Sequence, residues 1–134
     1  MFMHICDLIH CREIAVRLFS IPCMDIIHAH FHHGFEFQTV SLIARGVALA
    51  LDYLHQSGVI HRSVRASHVL VTDTGGVKLG GFRHALELAH TDRHKRAHTY
   101  TCDSQGIPWK APELLEQNCA GYDSKVDIYR FTYK

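Results

Sequence analysis

The pattern that most restricts the fold of this chain lies in residues 59–82, which read VIHRSVRASHVLVTDTGGVKLGGF. Two short, β-branched apolar runs, residues 69–71 and 77–79, stand on either side of the turn-forming sequence DTGG. Runs of this length around an Asp- and Gly-rich turn predict a tight β-hairpin. The hairpin places the loop before its first strand beside the loop after its second strand, so the side chains of both loops are expected close together.

The spacing of these two loops resembles that of the catalytic loop and the magnesium loop of protein kinases, H-R-D-x-x-x-x-N and D-F-G. His61, Arg62 and Phe82 match the family pattern. Four positions depart from it: Ser63 replaces the catalytic Asp, Arg65 the usual Lys, His68 the metal-binding Asn and Gly81 the metal-binding Asp. The resemblance therefore indicates a pseudokinase, a kinase-like protein with a degenerate catalytic site.

The residues at these four positions do not suit the transfer of a phosphoryl group to a hydroxyl. Magnesium prefers oxygen ligands, whereas Gly81 offers no side chain and the imidazole of His68 suits softer metals. Ser63 does not act as a general base near neutral pH, a role worth roughly 10²–10⁴ in rate. Arg65 keeps a positive charge near the expected phosphate position. We therefore predict no catalytic residue and no metal ligand in the chain.

Positions that hold the architecture of the kinase fold are matched. The resemblance implies that His61 and Phe82 belong to the hydrophobic spine of the active conformation. It implies structural roles for Arg62 and for Glu113, which ends an intact A-P-E sequence. It also implies that Asp127 hydrogen-bonds the backbone of the catalytic loop. Matched architecture without the catalytic groups indicates a binding or allosteric role.

Hydrophobic periodicity predicts helices upstream of the catalytic loop. An amphipathic helix is predicted over residues 1–21 and a short helix over residues 22–33. Residues 37–55 predict a core helix with an apolar stripe made of Val40, Ile43, Val47, Leu51 and Leu54. His28 and His32 stand four apart, a spacing that binds zinc, but no third ligand lies near them in the sequence. A solvated His-rich face is therefore favoured over a metal site.

The downstream sequence resembles the activation segment and the helices that follow it in kinases. Residues 81–113 show no clear periodicity and contain a basic cluster, and a loop this long is normally functional or disordered. A short helix is predicted from Leu114, and residues 121–129 resemble the entry to the central helix of the kinase C-lobe. No Gly-rich loop occurs upstream, so the nucleotide-covering lobe is expected to be missing.

These elements together define the predicted fold class and domain organisation. The class is α+β, a mainly α-helical protein-kinase C-lobe with a short β-hairpin, truncated at both ends. Residues 1–21 are predicted to be a divergent N-terminal segment. Residues 22–134 are predicted to be a partial, pseudokinase C-lobe.

Composition and charge limit the classes of function. For 134 residues, a net charge of +1 predicts neither nucleic-acid nor membrane binding, and 47% hydrophobic with 20% charged residues describes a globular chain. No apolar run approaches the ~20 residues of a membrane span, and charges interrupt any signal peptide in residues 1–21. The five cysteines form no C-x-x-C pair and indicate free thiols in a reducing compartment. We expect a cytoplasmic location, with the nucleus as a second one.

The particular residues of the degenerate motifs indicate a narrower group within the kinase family. HRSVRASHVL, the Gly in place of the D-F-G Asp, MDIIHAHFHHG and ELLEQNCAGYDSKVDIY resemble the sterile-20-related adaptor pseudokinases (STRAD). This resemblance implies an adaptor that binds and allosterically activates a serine/threonine kinase upstream of the AMP-activated kinase, with an armadillo-like scaffold protein as a further partner. It implies no cofactor on this chain, and ATP binding without magnesium in a complete domain.

Three alternatives compete with this interpretation. A fragment of an active sterile-20-group serine/threonine kinase would need another acid near the metal, and Asp73 in the hairpin turn is the near candidate in sequence. A truncated product would have no stable function. A His-based metal protein lacks a ligand constellation in the sequence and is the least favoured.

Overall fold

The computed structural model describes residues 20–88, 96–100, 107–117 and 119–132. The strands are β1 (Ser20–Pro22), β2 (Val59–Ile60), β3 (Val69–Thr72), β4 (Val77–Leu79) and β5 (Leu86–Glu87). The α-helices are α1 (Cys23–His30), α2 (Phe37–Gln56), α3 (Pro112–Glu116) and α4 (Lys125–Thr132). This combination of helices and small antiparallel sheets is the predicted α+β class.

The chain divides into two compact units. In the part that the structure describes, the first unit contains residues 20–50 and 65–83. The second contains residues 51–64 and the described residues from position 84 onward.

A three-stranded antiparallel sheet, in the order β1-β3-β4, organises the first unit. The predicted hairpin is confirmed, since β3 pairs with β4 in a register that places Val71 opposite Val77. Its turn is closed by the Thr72 N–H, which donates to the Gly76 carbonyl at 2.9 Å. Gly75 has a φ of 79°, a conformation that favours glycine. The turn chemistry is therefore the one that the DTGG sequence predicts.

Helix α1 is shorter than the prediction of residues 22–33. Pro22 belongs to β1, where it pairs with Leu70, so the helix begins one residue later. It ends at His30, and the Phe31 N–H still donates to the Ile27 carbonyl at 3.0 Å. Gly34 then takes a φ of 85° and continues the change of direction that the sequence predicts.

Helix α2 is confirmed and is one residue longer than predicted. Of its predicted apolar stripe, Val47, Leu51 and Leu54 are buried, whereas Val40 is 46% exposed. By length and composition α2 would be able to cross a membrane, a test that core helices of soluble proteins also pass. The sequence did not predict this, because Arg45 interrupts the apolar run of the helix.

The second unit is organised by the antiparallel pair β2-β5 and by a small apolar core. The Leu88 N–H donates to the Gly58 carbonyl at 2.8 Å, which extends the pairing by one residue. The buried core residues come from widely separated parts of the sequence: Ile60, Leu88, Ala97, Ala111, Tyr122 and Val126. Helix α4 contributes Val126 to this core and begins where the resemblance places the central helix.

Two further predictions meet the structure only in part. The helix predicted over residues 1–21 lies outside the described residues, except for Ser20 and Ile21, which are in β1. The segment 81–113 contains β5 and also Ala97, which forms an isolated bridge with Tyr122, although the sequence shows no periodicity there. Short pieces of this kind are set by long-range pairing and leave no local pattern.

Candidate functional site

The loop that follows β2 is enclosed in the second unit. His61 and Ser63 are fully buried, and Arg62 is 8% exposed. Arg62 also has a φ of 61°, in the left-handed region that costs a non-glycine residue roughly 1–2 kcal/mol. Hydrogen bonds to the N–H and to the carbonyl of Arg62 must offset that cost.

Asp127 at the start of α4 supplies the first of these contacts. Its side chain is fully buried. Oδ1 accepts the Arg62 N–H at 2.7 Å and Oδ2 accepts the His61 N–H at 2.8 Å. Oδ2 also lies 2.9 Å from Nε2 of His55, near the end of α2. The buried carboxylate therefore fixes two consecutive peptides of the loop, as a charged acceptor with several donors does.

Two arginines complete the anchoring of this loop. Arg130, one turn after Asp127 on α4, donates from Nη1 to the carbonyl of Arg62. The guanidinium of Arg62 donates from Nε to the His84 carbonyl at 2.5 Å, and from Nη1 to the Thr99 carbonyl at 2.9 Å. Nη1 also lies 2.8 Å from the hydroxyl of Tyr122, which it donates to. Arg62 therefore binds the backbone at two separate points, His84 and Thr99.

Tyr122 is the second residue that holds this part of the chain. Its hydroxyl donates to the Thr99 carbonyl, and its backbone exchanges two hydrogen bonds with Ala97, at 2.7 and 2.9 Å. Burial raises the pKa of the Tyr122 phenol, and the hydrogen bond from Arg62 acts against that shift. Gly121 permits the close approach, since a Cβ there would lie 2.6 Å from the Ala97 carbonyl oxygen.

The residues at the expected metal positions lie in the first unit. His68 ends the 3₁₀ turn Ala66–His68, and Gly81 follows β4 with a φ of 80°. The Gly80 N–H donates to the His68 carbonyl at 2.8 Å, which continues the hairpin ladder. Arg65 directs its guanidinium at Nε2 of His68, with Nη2 at 3.1 Å and Nε at 3.3 Å. The structure thus brings Arg65, His68 and Gly81 together, as the hairpin predicts.

The other candidate residues are placed as follows. Phe82 begins the 3₁₀ turn Phe82–His84 and is half-buried, and Glu113 is half-buried in the first turn of α3. His28 and His32 are exposed, and the described residues contain no group of three or more His, Cys, Asp or Glu able to hold a metal ion. Asp73 is exposed in the hairpin turn, at the opposite end of the hairpin from Gly81.

Sequence reasoning missed His55, Tyr122 and Arg130. For His55 and Arg130, helical spacing from buried residues gives a signal in the sequence. His55 is four residues after the buried Leu51, and Arg130 is four residues after the buried Val126, so both lie on inward faces. No local pattern identifies Tyr122, because its partners are 23 and 60 residues away.

This site and fold define the class of protein. A family model described as protein tyrosine and serine/threonine kinase matches residues 11–133. The chain therefore belongs to the protein kinase family, and its described part is about half helical, with two small antiparallel sheets.

The similarity is more specific than the family. The chain is 43% identical over 107 residues to STE20-related kinase adapter protein alpha of Rattus norvegicus, which covers 78% of this chain and 27% of that protein. It is 44% identical to the alpha protein of Gallus gallus over 78% of this chain and 28% of the relative. It is 39% identical to the beta protein of Homo sapiens, with 78% and 26% covered. The chain spans about a quarter of the length of these relatives.

Proposed function

We propose that the chain is a catalytically inactive, kinase-like adaptor that binds a partner serine/threonine kinase and activates it allosterically. The observation that carries this proposal is the 39–44% identity to STE20-related kinase adapter proteins. Ser63, His68 and Gly81 stand at the positions where the kinase motifs have the catalytic and metal-binding residues.

The chemistry of the three positions supports catalytic inactivity. The buried hydroxyl of Ser63 offers no carboxylate to a substrate proton. His68 and Gly81 offer no oxygen to a magnesium ion, which takes oxygen ligands almost exclusively. Catalysis of phosphoryl transfer depends on positioning and charge neutralisation by such groups, so their replacement removes most of the rate enhancement.

The hydrogen bonds of the second unit support a binding role. Asp127 and Arg62 bind the loop and the segment around Thr99 through groups of this chain alone. The loop is itself buried, so these hydrogen bonds order the unit from within, and a unit that is already ordered loses less conformational entropy when it binds a partner. The polar contacts of Asp127 and Arg62 therefore maintain the shape of the unit.

Further features follow from the resemblance and belong to the same proposal. The partner is the serine/threonine kinase upstream of the AMP-activated kinase, and an armadillo-like scaffold protein joins the complex. The location is the cytoplasm, with the nucleus as a second one. A complete domain binds ATP without magnesium, and neither a nucleic acid nor a membrane is a partner.

An activation assay tests the proposed function. The partner kinase is assayed on a peptide substrate with increasing concentrations of this chain. We expect a saturable rise in the kcat of the partner, equal for the chain and for its Ser63→Ala variant, because Ser63 performs no chemistry. No rise at saturating binding, or a rise that Ser63→Ala abolishes, would contradict the adaptor function.

A further inference from the structure

The residues at the two metal positions of the first unit are in close steric contact. A Cβ atom at position 81 would lie 2.3 Å from both Cγ and Nδ1 of His68, and 2.6 Å from Cδ2. Approaches below 3.0 Å are essentially never found for real Cβ atoms. The imidazole ring therefore occupies the space that the first atom of any side chain at position 81 needs.

The hairpin fixes the backbone of His68, and Arg65 binds its ring. Val69 pairs with Leu79 in the hairpin, and the next ladder bond joins Gly80 to the His68 carbonyl at 2.8 Å. Nε2, on the far edge of the His68 ring, accepts hydrogen bonds from Nη2 and Nε of Arg65, at 3.1 and 3.3 Å. Rotation of the ring away from Gly81 would break the hydrogen bonds to Arg65. The ring is therefore held beside position 81.

The backbone at position 81 does not itself exclude an acidic residue. Its φ of 80° lies near the left-handed region, in which Asp and Asn are several-fold enriched among non-glycine residues. Gly75 has nearly the same φ, 79°, and a Cβ there would meet nothing within 4 Å. The two glycines therefore differ in what a Cβ would meet, which at position 81 is the imidazole of His68.

From this contact we propose that His68 sterically excludes a carboxylate at position 81, and with it the divalent cation that the kinase fold implies. The residues present do not fit magnesium, because the imidazole of His68 fills the space in which an oxygen ligand would begin. The residues at positions 68 and 81 therefore depend on each other. Gly81→Asp alone does not restore a metal-binding carboxylate, because the ring of His68 still occupies its space. This holds whether or not the chain activates a partner kinase.

A double-mutant cycle tests the coupling. Gly81→Ala and Gly75→Ala are each made in the natural chain and in a His68→Ala background, and urea unfolding gives the four changes in folding equilibrium constant. Gly75→Ala reports the backbone cost alone. We expect Gly81→Ala to lower the constant at least about tenfold more than Gly75→Ala in the natural chain, as overpacking does. In the His68→Ala background the two losses should become equal.

The outcomes decide the proposal in either direction. If Gly81→Ala prevents folding, recovery of a folded chain by the added His68→Ala is the supporting result. Equal costs of Gly81→Ala in both backgrounds, or failure of His68→Ala to recover folding, would overturn the proposal. Gly81→Asp with and without His68→Asn provides a second readout, in which the acid should be tolerated only when His68→Asn has removed the ring.

Discussion

Asp127 and Arg62 are 65 residues apart in the sequence, yet Oδ1 of the buried carboxylate accepts the Arg62 N–H at 2.7 Å. The second oxygen of the same carboxylate accepts the neighbouring N–H of His61 and contacts His55. One side chain at the start of α4 therefore sets the backbone at His61 and Arg62, directly before the degenerate position Ser63.

Asp127→Asn should destabilise the chain, although the two side chains have the same shape. Both carboxylate oxygens of Asp127 accept backbone N–H groups, whereas an amide has one oxygen and turns its NH₂ group toward the second donor. One buried donor is then unsatisfied, which costs about 1–3 kcal/mol in the free energy of unfolding. Urea unfolding monitored by circular dichroism measures this change.

Asp52→Asn is the matched control for that substitution. Asp52 is exposed, and its carboxylate accepts only the side-chain amide of Gln56 at 2.8 Å among the contacts in the described part of α2. We expect a change within about 0.5 kcal/mol, as for exposed positions in general. Equal effects of the two Asp→Asn changes would show that the buried carboxylate does not hold the loop.

Arg62→Lys should loosen the segment around Ala97 while keeping the positive charge. The planar guanidinium bonds the His84 and Thr99 carbonyls together, and an ammonium group lacks the fork that reaches both. Amide hydrogen exchange should become faster at Ala97 and Tyr122, and remain unchanged at Thr72 in the hairpin turn. Unchanged protection at Ala97 would mean that Arg62 does not hold this segment.

Tyr122→Phe should reduce the loss of stability at alkaline pH. Burial raises the pKa of the phenol, so above pH ~10 the folded state keeps a proton that the unfolded chain releases. The folded state then binds more protons, and the free energy of unfolding falls as the pH rises. The urea midpoint, measured from pH 8 to 11, should fall less steeply in Tyr122→Phe. Cys23, whose pKa burial also raises, contributes equally to both proteins.

Gly121→Ala should cost more stability than Gly34→Ala. Both glycines have a positive φ, at 67° and 85°. A Cβ at position 121 would lie 2.6 Å from the Ala97 carbonyl oxygen, whereas a Cβ at position 34 meets nothing within 4 Å. We expect an excess of about 1–3 kcal/mol for Gly121→Ala, measured by urea unfolding. No excess would mean that the Ala97–Tyr122 bridge adjusts freely.

The hairpin and helix α2 were predictable from sequence because their determinants are local. Residues 73–76 carry the turn chemistry, and the apolar spacing of residues 37–55 specifies a helix whichever surface covers it. The hairpin also predicted that the loop with His68 and the loop with Gly81 would lie side by side. Their steric conflict was not predictable, because it depends on the direction of one ring.

The contacts of Arg62 were outside the reach of sequence patterns for a different reason. Its acceptors are the carbonyls of His84 and Thr99 and the hydroxyl of Tyr122, which are 22, 37 and 60 residues away. Backbone carbonyls belong to every residue type, so no letter in the sequence marks them. Such contacts exist only once the tertiary fold has assembled.

The central claim, that this kinase-like chain performs no phosphoryl transfer, is tested most directly by transfer of labelled phosphate. The purified chain and its Ser63→Ala variant are each incubated with γ-labelled ATP, magnesium or manganese, and a generic protein substrate. We expect the same incorporation of label in both reactions as in a reaction without the chain. Incorporation by the chain above that of Ser63→Ala would contradict it.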